Sequence, residues 1–277
     1  MTRSRNSGGC DGLCVFFRFS GLAEPMNPDT ALDVLVRPSP NHGARDPRLD
    51  IDILLLHYTG MPEADGALDW LCREESQVSA HYFVYEDGRI VQMVPEARRA
   101  WHAGAAYWAG ERDINGCSIG IEIANGGPDS ASPGFPPEQM DAVIALCRDI
   151  LKRHEILPQR VLGHSDVAPG RKSDPGAFFD WRMLSAAGIG LMVKPEPVVE
   201  GPVLGLGDSG RDVRHLQKAL RFYGYGVEVS GVYDEASACI VEAFQRHFRP
   251  ARIDGVADIS TRKTLDRLLQ GLDAAGA

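Results

Sequence analysis

The sequence predicts an α/β fold, a central mixed β-sheet flanked by helices, followed by a small three-helix domain. Three observations carry this expectation. Between residues 33 and 164, short β-branched runs alternate with segments of helical period, as in a layered sheet-and-helix domain. Two of the runs are joined by Asp87-Gly88, which suits the positive φ angles of a tight antiparallel turn, so the sheet is mixed. Beyond residue 204 the apolar spacing is helical in three successive segments.

Taken in order, Asp33-Val34-Leu35-Val36 is a short strand. Ile51 to Tyr58 is nearly continuous in β-branched and apolar residues, which fits a central strand buried on both faces, and it closes on His57 and Tyr58. A helix with Ala67, Leu68, Leu71 and Cys72 on one side follows. Ala80 to Tyr85 and Ile90 to Val94 form the hairpin. From Cys117 to Asn125 the period is two: Ile119, Ile121 and Ile123 point one way, and Ser118, Gly120, Glu122 and Ala124 the other. A charged residue on a face of small side chains is either solvated or aimed at something occupying the room they leave. Pro137 to Glu155 is the clearest helix, with proline at its start and Met140, Val143, Ile144, Cys147, Ile150 and Leu151 at helical spacing. Arg160 to His164 is a short strand delivering His164 to the stretch Gly163 to Gly176, whose prolines and glycines predict a stiff loop, neither helix nor strand.

Residues 189–203 read as a Pro-, Val- and Gly-rich linker. In the last unit Val213, Leu216, Leu220 and Tyr223 mark one helix and Val241, Phe244 and Phe248 a second. Ser260 is expected to cap a third, containing Leu265, Leu268 and Leu269. Val229 to Asp234 and Ile253 to Asp258 resemble each other at an offset of 24 residues, a two-fold repeat in which each turn leads into a helix.

At 277 residues the chain is long enough for two domains. A net charge of -9 argues against nucleic acid or an anionic membrane as the main partner, since both need a basic surface. Cys10, Cys14, Cys72, Cys117, Cys147 and Cys239 show neither a disulfide framework nor zinc-ribbon spacing, which suits a reducing compartment. Leu13 to Phe19 is interrupted by Arg18 and too short for a transmembrane segment, and no small-residue cleavage site follows it. Residues 1–28 are read as disordered or as an over-called start, with Met26 the true one.

Both His57 and His164 end strands, where ligand-binding groups gather in open α/β sheets, so the two can converge. With Asp174 they make the three-ligand set of a hydrolytic zinc ion that keeps a fourth position open. A carboxylate that ligates nothing must then take a proton from water and return it to the leaving nitrogen, and Glu122 is the candidate. Lys172, two residues before Asp174, is placed to stabilise the negative oxygen of a tetrahedral intermediate. His81 and His102 are read first as hydrogen-bonded structural histidines, with pocket lining or metal ligation left open. His154 lies near a helix C-terminus, where a cation is favourable. No His-Glu-x-x-His occurs, which excludes a helix-borne metalloprotease site.

Five ordered motifs are His57-Tyr58-Thr59, Ser79-x-His81-Tyr82, Arg99-Ala100-Trp101-His102-Ala103-Gly104, Asn115-x-x-Ser118-Ile119-Gly120-Ile121-Glu122 and Gly163-His164-Ser165-Asp166 through Pro175-Gly176. Together they resemble the zinc N-acetylmuramoyl-L-alanine amidases of the AmpD and AmiD type, which share a fold with T7 lysozyme and peptidoglycan recognition proteins. The resemblance implies a catalytic domain over 29–188, one Zn2+ per chain held by His57, His164 and Asp174, and Glu122 and Lys172 as catalytic. It also implies Tyr58, His81, Trp101, His102 and Asn115 as substrate contacts. The implied reaction is hydrolysis of the amide between N-acetylmuramic acid, or its anhydro form, and L-alanine in peptidoglycan or its muropeptide fragments. Asp174, where the T7 branch uses cysteine, points to the AmpD/AmiD side.

Gly207-Asp208-Ser209-Gly210, Val213, Leu216-Gln217, Leu220 and Phe244-Gln245 resemble the type 1 peptidoglycan-binding domain, expected over 204–272. The chain departs from that pattern at Asp234 and lacks the usual Thr before the second helix. A monomer in the cytoplasm is the reading, with the periplasm or cell envelope as the alternative. The functional alternative is a non-catalytic binder of peptidoglycan fragments.

Overall fold

The computed structural model describes residues 26–131 and 134–275; the expectations for Cys10, Cys14 and Leu13 to Phe19 lie outside them. The elements are β1 (Val34–Val36), β2 (His42–Ala44), β3 (Ile53–Tyr58), α1 (Ala64–Leu71), β4 (Tyr82–Val84), β5 (Ile90–Gln92), β6 (Arg98–Ala100), α2 (Ile114–Cys117) and β7 (Ser118–Ile123). There follow α3 (Pro137–Arg153), β8 (Val161–Gly163), α4 (His164–Val167), α5 (Trp181–Ala186), α6 (Arg211–Tyr223), α7 (Glu235–Phe248) and α8 (Ile259–Ala275). Six strands form one sheet in the order β1-β5-β4-β7-β3-β8. Only the β4–β5 hairpin is antiparallel within it, so the sheet is mixed as its turn residues predict.

The run that reads as a buried central strand is one: Ile53 to Leu56 are fully buried, because β3 lies between β7 and β8 with both faces covered. Alternation along the strand sends its two residue sets into different cores. Leu54 and Leu56 join Ile119, Ile121 and Ile123 of β7 against Met140, Val143, Cys147 and Ile150 of α3. Ile53 and Leu55 face the other way, into a core shared with Val213, Leu220, Phe244 and Leu268 of the C-terminal helices. On that second face α1 covers the β4 and β5 half through Leu68, Leu71 and Phe83. Between the two coverings the strand ends stay open, and that opening fixes where a site can be.

The C-terminal unit is built on its repeat. Gln217 donates to Val232 O (2.9 Å) and accepts from Gly231 N, and Gln245 donates to Val256 O (2.9 Å) and accepts from Gly255 N, each tying a helix to its turn. The unit is packed hard against the α/β domain. Trp108 is 1 % exposed and meets Tyr223 and Tyr225 edge-on, and a Cβ on Gly224 would come within 2.6 Å of its indole. Asp166 accepts from Tyr225 Oη (2.7 Å) and faces His247 Nδ1 (2.8 Å), and the His247 ring stacks between Trp181 and Phe248.

Two expectations need correction. The stretch after β8 does not begin as a loop: His164 to Val167 wind one helical turn, because Pro169, Gly170, Pro175 and Gly176 come later and the Asp166 carboxylate accepts from Gly163 N (2.8 Å). Ser260 does not cap the last helix. Asp258 does, accepting from Thr261 N (2.7 Å), while the Ser260 hydroxyl donates to Glu196 O in the preceding connection.

Candidate metal centre

His57 leaves the C-terminal end of β3 on the face it shares with Ile53 and Leu55, and Glu122 is its register partner on the parallel neighbour β7. His164 opens α4 directly off β8. The chain then returns, with Ser165 N donating to the Asp174 carbonyl (2.9 Å), which sets the Asp174 side chain beside His164. His57 Nδ1 and His164 Nδ1 are 2.9 Å apart, and each is 3.0 Å from Asp174 Oδ2. All three residues are buried, and among the described residues they are the one group of three placed to hold a metal ion.

The donor set fits such an ion. His164 Nε2 faces the Ala103 carbonyl at 3.0 Å; a carbonyl only accepts, so Nε2 carries the proton and Nδ1 presents a lone pair. Ionised Asp174 offers only acceptors. Of the three converging atoms, then, at most one can carry a proton, on His57 Nδ1, and a cation relieves the repulsion. A tetrahedral zinc ion with bonds of about 2.0–2.1 Å sets its ligand atoms roughly 3.3 Å apart, close to the spacing here.

The electrostatics agree. Burial, with His164 beside it, lowers the His57 imidazole to about 4, so its ring is neutral at neutral pH. Burial resists the charge on Asp174, but the two facing imidazoles outweigh it and hold the carboxyl well below the usual carboxylate range. Glu122 is the opposite case. Burial pushes its carboxyl well above the usual range, with Asp174 adding to the push and Lys172 opposing it. Its Oε2 is buried without a hydrogen-bond partner. A desolvated, unpartnered carboxylate beside a cation site is poised to exchange protons.

These groups line one cavity of about 490 Å³. His57, Glu122, His164, Lys172 and Asp174 form its polar side, and Met61, Trp70, Leu71, Val78 and Trp101 its apolar wall. Lys172 is exposed at the rim, and Tyr58 bonds across the mouth to Ser173 Oγ (3.0 Å). Of the expected substrate contacts, Tyr58, Trp101 and His102 reach the cavity, and His81 and Asn115 do not. His81 is fully buried behind the wall, with Nδ1 accepting from Gly120 N, and Asn115 Oδ1 accepts from His102 N and Ala103 N. Both stand behind the cavity wall, where His81 Nδ1 and Asn115 Oδ1 are taken up by backbone amides. Trp70 escaped the sequence reading although it lines the wall at 45 % exposure. Its signal was an aromatic off the apolar stripe of Ala67, Leu68 and Leu71. His154, expected to favour a helix end, is paired with Glu96 (2.8 Å).

Comparison with known proteins separates this site from other arrangements of two histidines and an aspartate. Residues 47–177 match the family model described as N-acetylmuramoyl-L-alanine amidase. The N-acetylmuramoyl-L-alanine amidase AmiD of Escherichia coli K12 is 37% identical over 232 residues, 79% of this chain and 83% of that protein. The chain belongs to the N-acetylmuramoyl-L-alanine amidase family. Amidases of this family are in general zinc-dependent, in keeping with the donor set above. The 1,6-anhydro-N-acetylmuramyl-L-alanine amidase AmpD of Haemophilus influenzae is 34% identical, over 53% of this chain and 89% of that one. Among solved amidase structures, the complex of AmiD from E. coli with anhydro-N-acetylmuramic acid-L-Ala-D-γ-Glu-L-Lys matches with a TM-score of 0.69 at 35% identity, covering 82% of this chain and 91% of that one. AmpDh3 from Pseudomonas aeruginosa, in complex with an anhydromuramic pentapeptide, matches with a TM-score of 0.66 at 31% identity, covering 85% and 96%. Residues 209–265 of this amidase match the model of a putative peptidoglycan binding domain. No described helix is long and apolar enough to cross a membrane.

Proposed function

We propose that this chain hydrolyses the amide between N-acetylmuramic acid, or its anhydro form, and L-alanine, using one zinc ion held by His57, His164 and Asp174. The observation that carries the reading is the meeting of three electron-rich atoms within 3.0 Å beside a buried, unpartnered Glu122 oxygen. Zinc there supplies Lewis acidity, polarising the substrate carbonyl and acidifying a water. Glu122 ligates nothing, so it is free to accept the water's proton and pass it to the departing alanine nitrogen, which must leave protonated. The Lys172 ammonium at the rim stabilises the oxygen on which negative charge develops. Trp70, Val78 and Trp101 give the scissile region an apolar wall that excludes water.

One chain supplies every residue of this site, which supports a working monomer. The four described cysteines are free, which supports a reducing compartment, the cytoplasm, and soluble muropeptides as substrate. The C-terminal unit is read as the contact to glycan.

The test uses an anhydro-muramyl tripeptide, with products read by mass spectrometry. Free tripeptide and anhydro-N-acetylmuramic acid are expected, and chelator should abolish their release. Cleavage within the peptide, or turnover indifferent to chelator, would overturn the reading. Glu122→Gln should keep its zinc while turnover falls by about 10²–10⁴-fold; near-normal turnover would remove Glu122 as proton carrier. Loss of the cytoplasmic pool on fractionation of a C-terminally tagged chain would move the substrate to the wall.

A further inference from the structure

We infer that His102 is a positioning residue whose ring fixes the protonation of His57 and thereby sets the affinity of the metal site. The inference rests on the zinc reading above and concerns a residue two positions removed from the ion in hydrogen-bond terms.

The proton positions follow from a fixed anchor. The Ile114 carbonyl can only accept, and Ser118 Oγ stands 2.5 Å from it, so the Ser118 hydroxyl proton points there. The Ser118 oxygen is left as acceptor for His102 Nε2, 3.3 Å away, which therefore carries a proton. A neutral imidazole has one N–H, so His102 Nδ1 presents a lone pair. That atom lies 3.1 Å from His57 Nε2, which must donate to it. The proton of His57 is thereby held on Nε2, and Nδ1 turns its lone pair toward His164 Nδ1 and Asp174 Oδ2. The last proton that could sit among the three converging atoms is removed.

The backbone is shaped to hold this ring. His102 lies over Gly120, where a Cβ would come within 2.6 Å of the imidazole, so the room left by the small face of β7 is filled by His102. Asn115 Oδ1 accepts from both His102 N (2.9 Å) and Ala103 N (2.8 Å), and the Ala103 carbonyl so fixed is the one that takes the proton of His164 Nε2. A single clamped segment therefore orients both histidines, one through a side chain and one through a carbonyl. Outer partners of metal-bound histidines typically govern affinity by 10–100-fold.

The experiment measures zinc affinity by competition with a chromophoric chelator, with no substrate present. His102→Ala is expected to weaken zinc by about 10–100-fold. His102→Asn places an amide oxygen near the position of Nδ1, and affinity should return to within a few-fold of the parent. Equal weakening in both variants would assign the effect to packing and overturn the inference, as would an alanine variant that binds like the parent. Ser118→Ala removes only the hydroxyl that anchors the chain and is expected to weaken zinc several-fold. It decides the matter if the His102 variants fail to fold, and an unchanged affinity then overturns the inference. A parent protein that binds no zinc would instead sink the metal reading itself, and the inference with it.

Discussion

Asp174 and Asp166 lie eight positions apart in the stretch after β8, both buried and both facing imidazoles, yet they do opposite things. Asp166 meets three donors: Gly163 N, Tyr225 Oη and His247 Nδ1, at 2.7–2.8 Å. Its valence is satisfied, and it serves as a rivet between the catalytic sheet and the C-terminal unit. Asp174 meets two imidazole nitrogens whose protons are drawn off elsewhere, His164 Nε2–H by Ala103 O and His57 Nε2–H by His102. What distinguishes a metal centre from a structural pair is the count of protons around it, and residue type alone is silent on that.

Substitutions can break or sharpen the contrast. The largest effect is expected of Asp174→Asn, which removes the anionic ligand: zinc content by mass spectrometry should vanish and hydrolysis fall to background. Retained metal would show that Asp174 is no more a ligand than Asp166. Next, Lys172→Ala should lower kcat by about 10²–10³-fold with KM little changed, and an effect confined to KM would make it a substrate clamp. Asp166→Asn should leave zinc stoichiometry intact and cost about 1–3 kcal/mol, because an amide hydrogen faces groups that themselves donate. A lower Tm with full metal content fits the rivet, and metal loss matching that of Asp174→Asn would erase the distinction.

The smallest effect comes from a third buried carboxylate of the satisfied kind. Burial alone would raise Glu96, but hydrogen bonds from His154, Arg153 and Tyr82 outweigh it and bring its carboxyl down to about 2. The folded value lies below the ordinary 4.5, so this stabilisation is present in full above that pH and is lost as pH falls toward 2. Glu96→Gln should therefore flatten the dependence of Tm on pH between about 4.5 and 2, and an unchanged slope would place the acid sensitivity elsewhere.

Much of this was legible in the chain. The continuous apolar run into His57, the alternation around Glu122 and the helical spacing of Met140 to Leu151 are local patterns, and locality is what sequence records well. His57 and His164 could be grouped because strand ends converge at one edge of such a sheet, and Asp174 because it lies in the stretch that His164 opens. What stayed hidden depends on partners distant in order. Nothing along the chain tells that the His102 ring faces His57, or that the Asn115 side chain faces a pair of backbone amides. The one-turn α4 escaped because the prolines downstream dominated its window. Asp258, rather than Ser260, caps the last helix because the Ser260 hydroxyl is drawn away by Glu196.

The notch at Gly224 that admits Trp108 has a further consequence. A C-terminal unit moved onto another enzyme would arrive with Tyr223, Tyr225 and His247 stripped of cover, and the parent would keep an indole facing water. Recombination that separates the two halves is penalised in both products, so in this lineage they are expected to be inherited together, and protein engineers should graft them as one piece.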